Sequence, residues 1–248
     1  MPLDPALLWA ASAALVAGIT RGFSGFGGAL IFMPLVSAAY GPEVAAPVLL
    51  AVDTVLTLPI LRRALRACLW RQVLPLALAA VAMVPVGVAI LGRVDPIVLR
   101  WALAGVALGL LVLLMSGWRH SGRPHLAVTL GVGALAGTLG GVAQMSGPPV
   151  VAYWIGGNHP AAQVRANLFG FFALVTVASA LAYWRHGLFT GEVGRLSLIL
   201  APLYAIGLVG GSRAFAGASD RTYRRAAYVV IALAALLSLP WLDGLLRS

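Results

Sequence analysis

An all-α polytopic membrane protein made of two homologous halves is the fold class this sequence predicts, and three observations predict it. Of 248 residues, 61% are hydrophobic and 10% charged, and the mean hydropathy is +0.96, whereas a soluble domain carries about 25% charged residues. Stretches free of Asp, Glu, Lys and Arg recur at residues 22–42, 72–92, 101–118, 124–164, 166–184, 196–212 and 226–242, most of them close to the ~20 residues that cross a hydrocarbon core. The formal charge is +10 and every basic residue is an arginine. These arginines sit almost entirely between the apolar stretches, a placement that signals membrane topology and argues against a nucleic-acid surface.

The start of the chain, MPLDPALLWA, lacks the basic opening of a signal peptide, so the first apolar segment is expected to be retained. Residues 5–42 carry one charge, Arg21, and residues 124–164 carry none. Each is too long for one crossing, so each reads either as one strongly tilted broken helix or as a hairpin of two short helices. Three further apolar segments follow each opening: 44–61, 72–92 and 101–118 in the first half, then 166–184, 196–212 and 226–242 in the second.

An offset of 119 residues pairs Gly18 with Gly137, Gly22 with Gly141, Gly28 with Gly147, Thr57 with Thr176 and Arg66 with Arg185. This matched punctuation, more than identity, divides the chain into repeats at residues 1–120 and 121–248. With simple crossings the arginines divide nearly evenly between the two sides. With hairpins the halves become inverted and the arginines fall eleven (62, 63, 66, 71, 119, 123, 165, 213, 221, 224, 225) against five, the asymmetry that insertion produces. Inverted repeats with both termini outside are therefore the expected topology.

The eleven residues from Gly18 to Gly28 hold five glycines and a charge, and each Gly costs about 1 kcal/mol in a helix relative to Ala. Unwound backbone survives in a membrane only where protein or a watery cavity satisfies it. The second copy, Gly137 to Pro149, breaks alike and restarts at Pro148 and Pro149, residues suited to a first helical turn. Two helix N-termini near Gly28 and Gly147, with Arg21 beside them, would hold an anion through dipoles and free amides. Arg21, Ser24, Gly27, Gly28, Gln144, Ser146 and Gly147 are the candidate binding residues. Close helix packing is the alternative use of the glycines.

Asp53, inside the run 44–61, is the acid that falls away from a predicted loop. It is a candidate for proton coupling, or for pairing with Arg21 or Arg165. Asn167 opens the matching segment of the second half and could bind a ligand or link helices. Gly22-Phe-Ser-Gly25 fits the string of rhomboid proteases, but the histidines (120, 125, 159, 186) all fall in predicted loops, so no base reaches the serine. No cluster suggests a metal, no cofactor is expected, and one cysteine, Cys68, excludes an internal disulfide. No enzyme is expected.

The string Gly25-Phe-Gly-Gly28 leading to Met33-Pro34, and Gly147-Pro-Pro-Val-Val-Ala-Tyr153 leading to Asn167, resemble the sulfite exporter TauE/SafE family of membrane permeases over nearly the whole chain. The resemblance implies transport of sulfite, sulfoacetate or another organosulfonate across the bacterial inner membrane. The partners to expect are a small anionic substrate, the lipid bilayer and protons, with a homo-oligomer compatible and nucleic acid excluded. An anion channel whose pore is lined by the glycine-rich segments is the rival expectation.

Overall fold

In a computed structural model, residues 5–95, 125–157 and 159–237 are described, with scattered positions between 97 and 112. Every regular element among them is an α-helix. In chain order these are α1 (Pro5–Ser24), α2 (Gly28–Tyr40), α3 (Pro42–Ala67), α4 (Trp70–Leu91), α5 (Leu126–Ala143), α6 (Gly147–Gly156), α7 (Ala161–Arg185), α8 (Gly191–Ala216) and α9 (Asp220–Leu237). Six of them (α1, α3, α4, α5, α7 and α8) are long and apolar enough to cross a membrane. The protein is an all-α, multi-pass membrane protein. Large apolar side chains stand outward on these helices, among them Val55, Leu78, Val177, Leu198 and Ile206, as a hydrocarbon solvent allows. The expected segment 101–118 and the boundary at 120–121 lie outside the described residues, as does the end of segment 226–242.

Both glycine-rich openings turn back on themselves. Trp9 Nε1 donates to the Leu35 carbonyl at 3.2 Å, and a Cβ on Gly28 would meet the Arg21 side chain and the Ala17 carbonyl, so α2 returns antiparallel along α1. In the second half, the Thr129 and Tyr153 hydroxyls are 2.8 Å apart and Gly140 faces Ser146, so α6 likewise returns along α5. The returning helices are short, 13 and 10 residues, or about 20 and 15 Å against a hydrocarbon core of ~30 Å. They are half-helices that begin inside the protein, at the buried tips.

Glycine decides how the hairpins are gripped. α1 lies alongside α8 in the same direction, Gly18 against Tyr204 and Gly22 against Leu208, with Gly207 against Leu15 and Gly211 against Ile19 in return. α4 and α5 repeat the arrangement through Gly133 on Leu76, Gly137 on Ala80, Gly141 on Val84 and Gly87 on Thr138. These are the two most extensive interfaces among the described helices. Small residues let the backbones meet, and in a bilayer such packing replaces the hydrophobic drive. Packing and cavity formation, offered as alternatives for the glycines, therefore occur together: Gly18, Gly22, Gly137 and Gly141 pack helices, while Gly27, Gly28 and Gly147 reach a cavity.

α3 and α7 run antiparallel, with Gln163 Nε2 on the Ala67 carbonyl at one end and Asp53 and Phe172 lining one cavity further along. α3 also outlasts the apolar run that predicts it. Arg62, Arg63 and Arg66 lie on its last turns instead of in a loop, because the alternation of Leu, Ala and Arg holds no breaker before Cys68. The same holds for Arg213 at the end of α8 and for Arg221, Arg224 and Arg225 in the first turns of α9.

At the α3–α4 corner, Cys68 is buried and its Sγ fills the space beside Gly170. Burial pushes its thiol up to about 11, so at neutral pH the nucleophilic thiolate is scarce. Maleimide applied to intact vesicles at pH 7 is expected to leave Cys68 unlabelled, and denaturation to expose it. Mass spectrometry of both samples checks this, with fast labelling of the folded protein as the contrary result.

Candidate functional site

The two hairpin tips meet. Phe26 at the first tip packs on Gly147 at the second, where a Cβ would stand 3.1 Å from the Phe26 ring. The first tip turns through two left-handed residues, Gly25 (φ 77°) and Gly27 (φ 83°), and the second through Gln144 (φ 55°), which the repeat offset places opposite Gly25. At Gly25 the residue type suits the backbone. Gln144 is the described non-glycine residue with positive φ, and such a conformation costs about 1–3 kcal/mol unless its surroundings impose it. Here the Gln144 amide donates to Gly140 O at 3.2 Å and to the Tyr183 hydroxyl at 3.1 Å, and Tyr183 in turn donates to Gly141 O at 3.0 Å. Replacing Gln144 with Gly is expected to leave the protein about 1 kcal/mol more stable than replacing it with Ala, since only Ala keeps the strained backbone. Thermal unfolding of the two variants in detergent measures the difference, and equal midpoints would contradict it.

A cavity of about 40 Å³ opens between the tips, α3, α7 and α8. Of the residues singled out in the sequence, Arg21, Gly27, Gly28, Asp53, Gln144 and Gly147 line it. Ser24 does not, because its hydroxyl is occupied within the first tip, near the Thr20 and Phe26 carbonyls and accepting from Phe26 N at 3.2 Å. Ser146 packs onto Gly140 behind the second tip. Asn167 also lies elsewhere: its Oδ1 accepts from Leu69 N and from Gln163 Nε2, both at 2.9 Å, tying α7 to the start of α4.

Arg21 is the site's centre. It is 5% exposed and grips Asp53 through Nε to Oδ1 and Nη2 to Oδ2, each at 2.9 Å, while Nη1 donates to Gly25 O at the tip. Its guanidinium also lies over the rings of Phe172 (4.6 Å) and Phe169 (5.1 Å). Of the two arginines that could have paired with Asp53, the structure selects Arg21. The Tyr204 hydroxyl donates to Asp53 Oδ1 at 2.7 Å. Asp53 and Tyr204 each lie near the middle of a 26-residue helix, so the pair sits deep in the membrane, where a fork of charge-assisted bonds is needed to hold an ion.

Above this pair, the first turn of α2 presents Gly28 and Ala29 to the cavity, and first-turn amides have no acceptor within their own helix. At α6 the contribution is smaller than two equal half-helices would give. Pro148 and Pro149 have no N–H, leaving Gly147 and Val150 as its first donors. The expectation of two matched N-termini therefore holds for position and not for donor count.

Tyr204, Phe172 and Phe169 escaped the sequence reading. Tyr204 had one usable signal, a hydroxyl in the centre of a charge-free stretch, where a phenol must find a partner. The phenylalanines had none, since nothing in an apolar run marks which ring will meet a cation.

The profile of the sulfite exporter TauE/SafE family matches residues 10–238, covering all but the first five residues of α1 and every described helix from α2 to α9. The chain belongs to the sulfite exporter TauE/SafE family. No curated protein and no solved structure is similar enough to this chain to count as a match. TauE/SafE proteins are membrane transporters, not enzymes, and membership makes this one a transporter of sulfite-type anions. Among the described residues, no group of His, Cys, Asp and Glu could hold a metal ion.

Proposed function

We propose that the protein is a secondary transporter that moves sulfite, sulfoacetate or another organosulfonate across the bacterial inner membrane by alternating access, exchanging a proton at Asp53. The observation that carries this reading is the buried Arg21 guanidinium at the meeting point of the hairpin tips, bound on one side by Asp53 and facing the N-terminus of α2 on the other. An oxyanion and the Asp53 carboxylate compete for one fork of N–H donors. Protonating Asp53 removes its claim on Arg21 and leaves the guanidinium to the anion. Proton and anion then occupy the site together and travel in the same direction, so a monoanion moves without net charge. Arg21 and α2 bind the substrate, Gln144 and Gly147 close the far wall, and Tyr204 holds Asp53 in place.

The cavity favours a transporter over the rival channel. At about 40 Å³ it has room for one or two waters, less than a continuous hydrated pore requires. Rearrangement between the hairpins must open it to each side in turn. The antiparallel run of α3 against its counterpart α7, together with the return of both hairpins to their starting side, supports inverted repeats related by an axis in the membrane plane. The arginine-bearing helix ends then face the cytoplasm and both termini lie outside. A reporter fused after Ser248 should read as periplasmic, and a cytoplasmic signal would overturn this topology.

Sulfite uptake into proteoliposomes tests the function. Flux should saturate, should rise when the sulfite-containing side is made more acidic, and should lose that pH response in Asp53→Asn. Sulfate and organosulfonates as competitors define the substrate. A large ohmic current, or flux indifferent to the proton gradient in the wild type, would favour the channel.

A further inference from the structure

A second and larger cavity, about 490 Å³, lies between the C-terminal half of α3, the start of α7 and the end of α8. Its wall is built from Pro59, Ile60, Arg63, Phe169 and Phe215 with a run of alanines, and it contains Arg165 but no acid. Arg165 is a cation without a carboxylate partner among the described residues. Its Nη2 donates to Gly22 O at 2.7 Å and to Ser212 Oγ at 3.3 Å, its guanidinium stacks 4.4 Å from the Phe215 ring centroid, and its Nε is buried with no acceptor. A partly buried guanidinium with an unused donor is costly unless something negative visits it. Arg63 stands exposed at the rim and adds a second positive charge.

The two cavities share a wall. The Phe169 ring carries Arg21 at 5.1 Å and Arg165 at 5.3 Å, and the ring itself is 2% exposed. Gly22, whose carbonyl Arg165 holds, follows Arg21 directly in the chain, and Gly25 at the tip has a φ of 77° and lies against the Arg165 stem. An anion drawn to Arg165 would therefore lie one aromatic ring away from Arg21.

We propose that the cavity at Arg165 is a second oxyanion site, which receives a sulfite- or sulfonate-class anion from the arginine-rich face and passes it to Arg21 past Phe169. The proposal rests on the transport reading for its direction but not for its chemistry. Arg165 supplies the docking charge, Arg63 concentrates anions at the mouth, and Phe169 separates the loading site from the central one.

The test uses full-length protein with Cys68→Ser, reconstituted in phosphatidylcholine nanodiscs, carrying Ala166→Cys in the cavity wall or Ala216→Cys at its edge. Each thiol is reacted with an anionic sulfonatoethyl methanethiosulfonate and with its cationic trimethylammonium counterpart. A positively lined cleft concentrates anions by tenfold or more, so the anionic reagent should win by about that factor. Sulfate should slow it, and adding Arg165→Gln should abolish both the preference and the protection. Equal rates for the two reagents, a preference unchanged by Arg165→Gln, or no reaction at either position would overturn the site. Repetition with phosphatidylglycerol in the disc separates a solute from a lipid headgroup. Sulfate protection in both lipids supports the site, whereas protection by the anionic lipid alone assigns the cavity to headgroups and overturns it. These rates require no flux. A charge preference without sulfite transport keeps this site and removes the substrate, and sulfite transport without the preference removes this site alone.

Discussion

Arg21→Ala abolishes sulfite flux in proteoliposomes: this is the expected result with the largest effect. The substitution removes the guanidinium that would bind the anion, a loss of about 2–5 kcal/mol for a buried charge-assisted contact, or roughly 30-fold and more in affinity. It also strands Asp53, which keeps only the Tyr204 hydroxyl among its charge-stabilising partners. Breaking a buried pair from one side costs about 3–5 kcal/mol of stability, so the variant alone would confuse binding with folding. Arg21→Gln combined with Asp53→Asn separates the two. With no charge left unpaired, it should fold like the wild type and still transport nothing. Arg21→Lys should also fail, because an ammonium cannot span both Asp53 oxygens and lie over Phe169 and Phe172 at once. Normal flux in the double variant would remove Arg21 from the substrate site.

The second large effect distinguishes two adjacent residues of one helix. Gly211 faces α1 so closely that a Cβ there would stand 2.1 Å from the Ile19 carbonyl oxygen, while Gly210 has open space around its missing Cβ. Gly211→Ala forces α1 and α8 apart, an overpacking that costs about 1–3 kcal/mol or more. Gly210→Ala instead should gain about 0.5–1 kcal/mol by stiffening an exposed helical position. The two thermal midpoints, measured in the same detergent, should therefore move in opposite directions from the wild type. Gly137→Ala should follow Gly211→Ala, since its Cβ would stand 2.6 Å from the Ala80 Cα. If Gly211→Ala matched Gly210→Ala, the close α1–α8 contact would be refuted.

The glycine punctuation was legible because a bilayer penalises it. Gly18 to Gly28 and Gly137 to Gly147 could not be ordinary lipid-facing helix, and both are hairpins. The choice of a hairpin over a tilted broken helix came from arginine placement alone, and the Trp9–Leu35 and Thr129–Tyr153 contacts agree with it. Arg21 and Asp53 stood out because charge at that depth needs a reason, and each turns out to be the other's partner. Asn167 was legible only as a polar residue in an apolar run. That property does not distinguish a ligand group from the cap it forms on Leu69 N. Arg165 was counted as a topology charge because it falls between apolar segments. Its partial burial follows from a side chain that reaches Gly22 on α1 and Ser212 and Phe215 at the end of α8, a tertiary fact without a local trace.

The glycine seams also set the boundaries of mechanical parts. α1 is welded to α8 and α4 to α5, so each hairpin is fastened to a long helix from the opposite half of the chain. Under the proposed alternating access, the units that would shift against each other are these crossed pairs, and neither half would move on its own. A chain severed near residue 120 would yield two fragments, each presenting a glycine groove with nothing to fill it. Assembly then depends on both being made in the same membrane, and on each one finding the other before it finds a copy of itself.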